Sequence, residues 1–407
     1  MTRLLITGLG VVSPIGQSLD AYWSALLRGA SRFSAWDDVA GPAVCAGRVE
    51  PDDYPDLHPP SRSWPSVDKL SKLMCMAAAG ALRDARLDAA WTADGQVGVA
   101  VASGFSTIDA NAHFIRAALT DHPRFVSPTD FANATPNTPA SQVAIHLGLR
   151  GVNATISSGA SSGLRALEYA GDLLRQGHAD AIVVGGCEQL SSFALRALDL
   201  ARPSSVDAFR PFDRRRCGTV AAEGAACLVL ERADHAVRRG APVYAELVSE
   251  AQERCPAADA DPRRAGSLVL QAAMRRALDR AGLALDAVDY VSASANGSVL
   301  GDAIELDALG ALCAERDGTV NVGSIKSTLG ETYGASGIFQ VLAGCLALSR
   351  GQLPPEPALL EPDTASVRLV FQRRAARVPL RAMVVNAFEP QGPYASVVLG
   401  RCVEVGA

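Results

Sequence analysis

The sequence predicts an α/β protein, and three observations carry that expectation. Short apolar runs rich in β-branched residues recur at 4–7 (LLIT), 97–103 (VGVAVAS), 181–186 (AIVVGG), 227–231 (CLVLE), 290–294 (YVSAS) and 383–388 (MVVNAF). Runs that are apolar at nearly every position suit strands covered on both faces. Segments with helical spacing lie between them, as α/β layering requires. Finally, a glycine-punctuated strand–helix–strand pattern occurs near 152–186 and again near 288–325.

The helices are read from spacing. Over 163–176, Leu164, Leu167, Ala170 and Leu174 recur every three or four residues, while Arg165, Glu168 and Arg175 fall on other faces. Over 267–281, Leu268, Leu270, Ala273, Met274 and Leu278 repeat the pattern. The charged, turn-rich stretch at 232–242 predicts a division into halves 1–235 and 236–407, packed as one body because no low-complexity linker separates them.

Composition narrows the function classes. The chain has 407 residues, 48% of them hydrophobic, which is enough for a large core. A net charge of −5, with scattered arginines opposed by acids, leaves no basic stripe for a phosphate backbone, so no nucleic-acid partner is expected. Gly and Pro break the first apolar run before a signal segment or membrane span could form, which predicts a cytoplasmic protein with no membrane partner. The nine cysteines are odd in number and form no C-x-x-C pair. They read as buried free thiols, with neither metal nor cofactor expected.

Two glycine motifs invite other readings. Gly8, Gly10 and Gly16 follow the first strand, but Pro14 stands where a phosphate-binding helix should open, so a structural turn is the better account. GASSG at 159–163 satisfies G-x-S-x-G with Ser161 central, between a strand and a helix. A serine hydrolase also needs an acid and a histidine downstream, and only His178 and His235 follow Ser161. His178 lies roughly 20 Å along the very helix that such an elbow would launch, and His235 sits in the charged boundary segment.

Five stretches in order resemble the β-ketoacyl synthase (thiolase-like) family: 6–16 (ITGLGVVSPIG), 163–186, 210–231 (RPFDRRRCGTVAAEGAACLVLE), 322–337 (VGSIKSTLGETYGASG) and 386–399 (NAFEPQGPYASVVL). The resemblance implies a five-layer αβαβα fold made of two pseudo-duplicated halves. It also implies a site in which a cysteine at a strand-to-helix turn takes the acyl chain, two histidines support decarboxylation of a malonyl thioester, and a lysine orders the pocket.

Against that pattern, the chain departs at the positions that carry chemistry. The family's T-A-C-A-S-G aligns with Ser158–Gly163, placing Ala160 at the cysteine position. Ser294 and Glu331 stand at the two histidine positions, while Lys326 is retained. No histidine occurs beyond residue 235, so the second half can supply neither imidazole. The glycine-rich G-F-G-G-T-N gate is replaced by Glu389-Pro390-Gln391-Gly392-Pro393-Tyr394, in which two prolines fix φ and remove backbone donors. Arg210, Phe212, Asp213 and Glu223 persist as structural residues, Glu223 as a buried carboxylate that needs a partner. Lys326 is expected to pair with Glu331 or Glu223.

Architecture kept while chemistry is lost resembles the chain-length-factor subunits of type II polyketide synthases. The resemblance implies an inactive partner of an active ketosynthase, shaping the tunnel for a chain tethered to an acyl carrier protein. Such subunits often carry glutamine at the cysteine position, and Ala160 departs from that too. The strand near 181–186 is similar to the family's pairing strand, and 125–144 to the segment that reaches across the interface. Phe125, Phe131, Asn133, Thr135 and Phe388 are candidates for tunnel or interface contacts. Two alternatives stand beside this reading: an acyltransferase without a covalent intermediate, with Glu331 or Lys326 as base, and a stand-alone acyl-binding protein.

Overall fold

The computed structural model describes residues 2–36, 44–50, 64–88, 96–120, 124, 126–198, 209–255 and 261–402. Ten strands form its frame. Those of the first half are β1 (Leu4–Val12), β2 (Val97–Ala102), β3 (Asn153–Ile156), β4 (Ala181–Glu188) and β5 (Gly224–Arg232). Those of the second are β6 (Ala245–Arg254), β7 (Tyr290–Ser292), β8 (Val320–Gly323), β9 (Ala382–Phe388) and β10 (Pro393–Gly400). The principal helices are α1 (Lys69–Asp84), α2 (Thr138–Leu147), α3 (Ser162–Arg175), α4 (Pro262–Ala281), α5 (Val299–Ala314) and α6 (Ser336–Arg350).

The strand order exposes a duplication. The first half runs β1-β5-β4-β2-β3 and the second β6-β10-β9-β7-β8, and β1 joins β6 so that one sheet continues through both. Pairing directions repeat as well. β1–β5 and β5–β4 are antiparallel and β4–β2–β3 parallel, and β6–β10, β10–β9 and β9–β7–β8 follow the same sequence of directions. The strand Leu369–Phe371 adds to the β8 edge.

Burial sorts the elements into five layers. On β1, Leu4, Ile6, Leu9 and Val11 face a central core shared with α3 and α6, and a bulge between Ile6 and Gly8 keeps that phase. The alternation continues in β5, where Ala226, Leu228 and Leu230 join the central core while Ala225, Cys227 and Val229 face an outer core with α1 and α2. In the second half, Met383, Val385 and Ala387 point inward, while Val384 and Phe388 point to an outer core with α4 and α5. A period of two with both faces buried is why these strands are apolar throughout. The chain has the thiolase-like αβαβα arrangement, with α3 and α6 as its middle layer.

The helix ends have local causes. Asp261 accepts from the Arg264 N–H at the start of α4, Pro262 occupies its first turn, and Gly282 closes it in the left-handed conformation. Leu270, Ala273, Met274 and Leu278 are buried as the spacing predicts, whereas Leu268 is exposed.

Two expectations are corrected. Gly8 and Gly10 are not turn residues. They lie within β1, where a Cβ would collide with the carbonyls of Ala81 and Ala77, so they permit α1 to press on the strand. Only Gly16 belongs to a turn, closed by reciprocal bonds with Ser13. The strand near 181–186 is not available for pairing across an edge, since β4 is flanked by β2 and β5 and wholly buried. The open edge of the first half is β3, which is only half-buried.

Candidate functional site

Ala160, Ser294 and Glu331 come from three distant stretches and line one cavity of about 810 Å³. Gly104, Phe105, Thr219, Asn296, Tyr333, Phe388 and Glu389 contribute further wall. Each position is set by a strand end or a helix start: Ala160 precedes α3, Ser294 follows β7, and Glu331 follows the short helix Lys326–Leu329 that β8 leads into.

Glu331 is buried and fully engaged. One carboxylate oxygen accepts from Lys326 Nζ at 2.8 Å and Asn296 Nδ2 at 2.7 Å, and the other from the Tyr333 N–H at 2.8 Å and from Ser336 Oγ. Backbone bonds to Val220 and Ala222 clamp the residue further. The Lys326 ammonium also donates to the Ser294 carbonyl at 2.8 Å. A buried ion pair of this kind holds its place through hydrogen bonding, and both Glu331 oxygens are already engaged by two donors each. Ser294 Oγ accepts from the Phe388 N–H at 3.4 Å, and its own N–H donates to Glu305.

The turn that launches α3 holds no nucleophile. Ser161 is fully buried and its hydroxyl donates to the Ser158 carbonyl at 2.9 Å, while His178 is exposed, so the G-x-S-x-G motif is structural. The Ala160 N–H donates to Glu389 Oε1 at 2.8 Å. Glu389 sits on the β9–β10 turn, which Gly392 closes by donating to the Glu389 carbonyl and Tyr394 braces by donating to the Pro390 carbonyl. Phe388 and Tyr394 stack at 4.7 Å beneath it.

Asp302, Glu188 and Asp213 are shifted by their settings. Burial pushes Asp302 up to about 6, against donation from the Phe212, Asn296 and Gly297 N–H groups. Burial likewise raises Glu188 to about 7, against donation from Gly104, Phe105, Ser103 and Gly334 behind the cavity wall. Asp213 is also buried, but bonds from Glu361, Arg215 and Leu360 outweigh that and hold it below the usual range, with Arg210 contributing its charge. Glu223 accepts from Lys69 Nζ at 2.6 Å and from the N–H groups of Val49 and Leu190. It therefore does not meet Lys326.

Of the tunnel candidates, Phe388 lines the cavity. Phe131 is exposed and packs on Phe114, Asn133 bonds the Ser66 carbonyl, and Thr135 bonds Thr138, all away from the cavity. Phe125 lies outside the described residues. Sequence reading missed Phe105, Thr219 and Tyr333 as walls, because nothing in their local context says that three loops converge. The replacement of a glycine-rich loop by Glu389-Pro390 was the one signal for the Glu389 contact. The nine cysteines are free, and two depart from the expected burial: Cys402 is partly exposed, and Cys217 stands exposed at the cavity. Among the described residues no cluster is placed to hold a metal, and no helix is long and apolar enough to cross a membrane.

The β-ketoacyl synthase N-terminal domain pattern matches residues 1–236, and the C-terminal domain pattern residues 247–359. The chain belongs to the β-ketoacyl synthase family. It is 30% identical to 3-oxoacyl-[acyl-carrier-protein] synthase 2 of Coxiella burnetii, over 98% of each chain. It is 32% identical to the tetracenomycin polyketide synthase ketoacyl synthase alpha subunit of Streptomyces glaucescens, over 89% of this chain and 88% of that one. Among solved structures, a β-ketoacyl synthase from Burkholderia phymatum superposes with a TM-score of 0.88 at 28% identity, over 99% of this chain and all of that one. The ishigamide ketosynthase/chain length factor superposes at 0.85 and 25% identity, again over 99% and 100%.

Proposed function

We propose that this chain is a catalytically inactive ketosynthase-like subunit, a chain length factor, that pairs with an active β-ketoacyl synthase and shapes the space for a growing acyl chain. One observation carries the reading. The three positions that hold cysteine and two histidines in the resembling pattern meet in one cavity here as Ala160, Ser294 and Glu331. Ala160 cannot accept an acyl group, and none of the three supplies an imidazole. Structural likeness to the ishigamide ketosynthase/chain length factor supports the same reading.

The acyltransferase alternative is disfavoured by the site itself. Glu331 is saturated by Lys326, Asn296, Tyr333 and Ser336, so neither it nor Lys326 is free to act as base.

The reading extends to partners and organisation. The active ketosynthase would meet the half-buried β3 edge and the neighbouring surface with Phe131, Asn133 and Thr135. An acyl carrier protein would deliver the tethered chain, in the cytoplasm, with no cofactor. The repeated strand order supports dividing the chain into halves 1–235 and 236–407. The test is co-expression with a ketosynthase encoded beside it: a stable 1:1 complex is expected, with product formed only when both are present. Turnover by this chain alone, abolished by Glu331→Gln, would instead establish the acyltransferase.

A further inference from the structure

The contact between Glu389 and the Ala160 turn goes beyond a missing nucleophile. Gly159 holds φ at +59°, and any Cβ there would collide with Glu389 Oε1. A Cβ on Gly392 would press on Oε2 from the other side at 3.2 Å. The carboxylate therefore lies in a cradle between two glycines, with its Oε1 on the Ala160 N–H, one residue ahead of the Ser161 N-cap of the 14-residue helix α3. A donor at a helix start is a favoured place for negative charge. The side chain is held there by a turn with prolines at 390 and 393 and the Tyr394 brace, so the placement is built into the backbone.

We infer that the Gly159–Ala160 turn is a carboxylate-binding site whose resident ligand is the chain's own Glu389, a built-in stopper that keeps acyl carbonyl and carboxylate groups off that turn. The inference deepens the reading above and rests on it, since a turn that does no chemistry can be closed. It also adds a specificity. Among the residues lining the cavity none is basic, and while Lys326 balances the charge of Glu331, the Glu389 carboxylate lies at the turn itself, so an anionic malonyl group meets a like charge there where a neutral acyl chain does not. Restoring the thiol alone would not restore a reactive turn. A cysteine at 160 would face a carboxylate that raises its pKa and occupies the donor that should stabilise the thiolate.

The test compares Ala160→Cys with Ala160→Cys/Glu389→Gly and Ala160→Cys/Glu389→Gln in the full chain. Each is alkylated with iodoacetamide across pH, the thiolate displacing iodide, and peptide mass spectrometry separates residue 160 from Cys217. The single variant should react slowly. Removing the carboxylate should lower the midpoint of its pH–rate profile by about one unit or more and speed alkylation near neutral pH about tenfold. The Gln variant keeps the volume and removes the charge, and it should lower the midpoint as well, with matched melting temperatures confirming an intact fold. Equal midpoints and rates in all three would overturn the stopper. The unsubstituted chain, offered an acyl thioester, reports separately on the parent reading, which an acyl adduct would sink whatever the alkylation shows.

Discussion

At the residue scale, the buried Lys326–Glu331 pair behaves as a stability element. Lys326 and Glu331 are each about 2% exposed or less, and each satisfies the other. Lys326→Met would leave the Glu331 carboxylate buried beside Asn296 alone on that oxygen, a loss of about 3–5 kcal/mol for a broken buried pair. The double variant Lys326→Met/Glu331→Gln should recover much of that stability in denaturant titrations, because no charge remains to be buried. A double variant as unstable as the single one would show that the pair is held for another reason.

Glu356 gives a pH-dependent counterpart. It is buried, accepts from the Ser324 N–H, and leaves Oε2 without a protein partner, and burial pushes it up to about 8 from 4.5. A raised folded pKa means that the folded protein holds the proton more tightly than the unfolded chain. Its contribution is therefore complete below pH 4.5 and is lost as pH rises through about 8. Glu356→Gln cannot ionise. Its melting temperature should gain on the parent between pH 5 and pH 9, and a gap that stays constant over that range would contradict the assignment.

At the element scale, the proposed association would use the open side of the first half. The helix Ile108–Thr120 buries none of its residues fully, and Ile115 and Leu119 are 50% and 80% exposed. Phe131, on the helix Pro128–Ala134, is 59% exposed and touches Phe114. Apolar groups presented together on neighbouring helices mark an interaction surface. Leu119→Glu/Phe131→Glu should raise the solubility of the isolated chain and weaken capture of the ketosynthase partner, measured by light scattering and by pull-down. Unchanged capture would move the interface elsewhere.

Much of the element scale was legible beforehand. All six apolar runs fall on strands, with Ser103 and Ala293–Ser294 just past the strand ends, and the two helical spacings fall on α3 and α4. β6 escaped notice because its sequence, AELVSEAQER, carries three glutamates. Glu246 and Glu250 are tolerated there because Arg3 and Arg175 from other parts of the chain pair with them. Such distant compensation leaves no local trace. The opposite error came with β4, whose apolar run resembles a pairing strand but reads the same whether it lies at an edge or in the middle of a sheet.

At the scale of the whole molecule, the middle layer carries the fold. α6 has 13 buried residues among its 15, packed between the two sheet halves, and its first residue, Ser336, donates to Glu331. The isolated chain is accordingly expected to fold, to self-associate through its apolar surface, and to exchange into a 1:1 assembly when the active subunit is supplied. Size-exclusion chromatography with light scattering measures both states. A monodisperse monomer indifferent to the ketosynthase would count against the proposed pairing.

By itself, the sequence determined the α/β class and the absence of any histidine beyond residue 235. Those properties are local or countable: periodicity reports which faces are buried, and a residue type that is missing cannot be supplied by folding. Only the tertiary structure decided that Ala160, Ser294 and Glu331 share a cavity, that Lys326 chooses Glu331 over Glu223, and that Glu389 lies on the Ala160 turn. Each joins residues separated along the chain, and their partners are selected by which loops the strand order brings to the same end of the sheet.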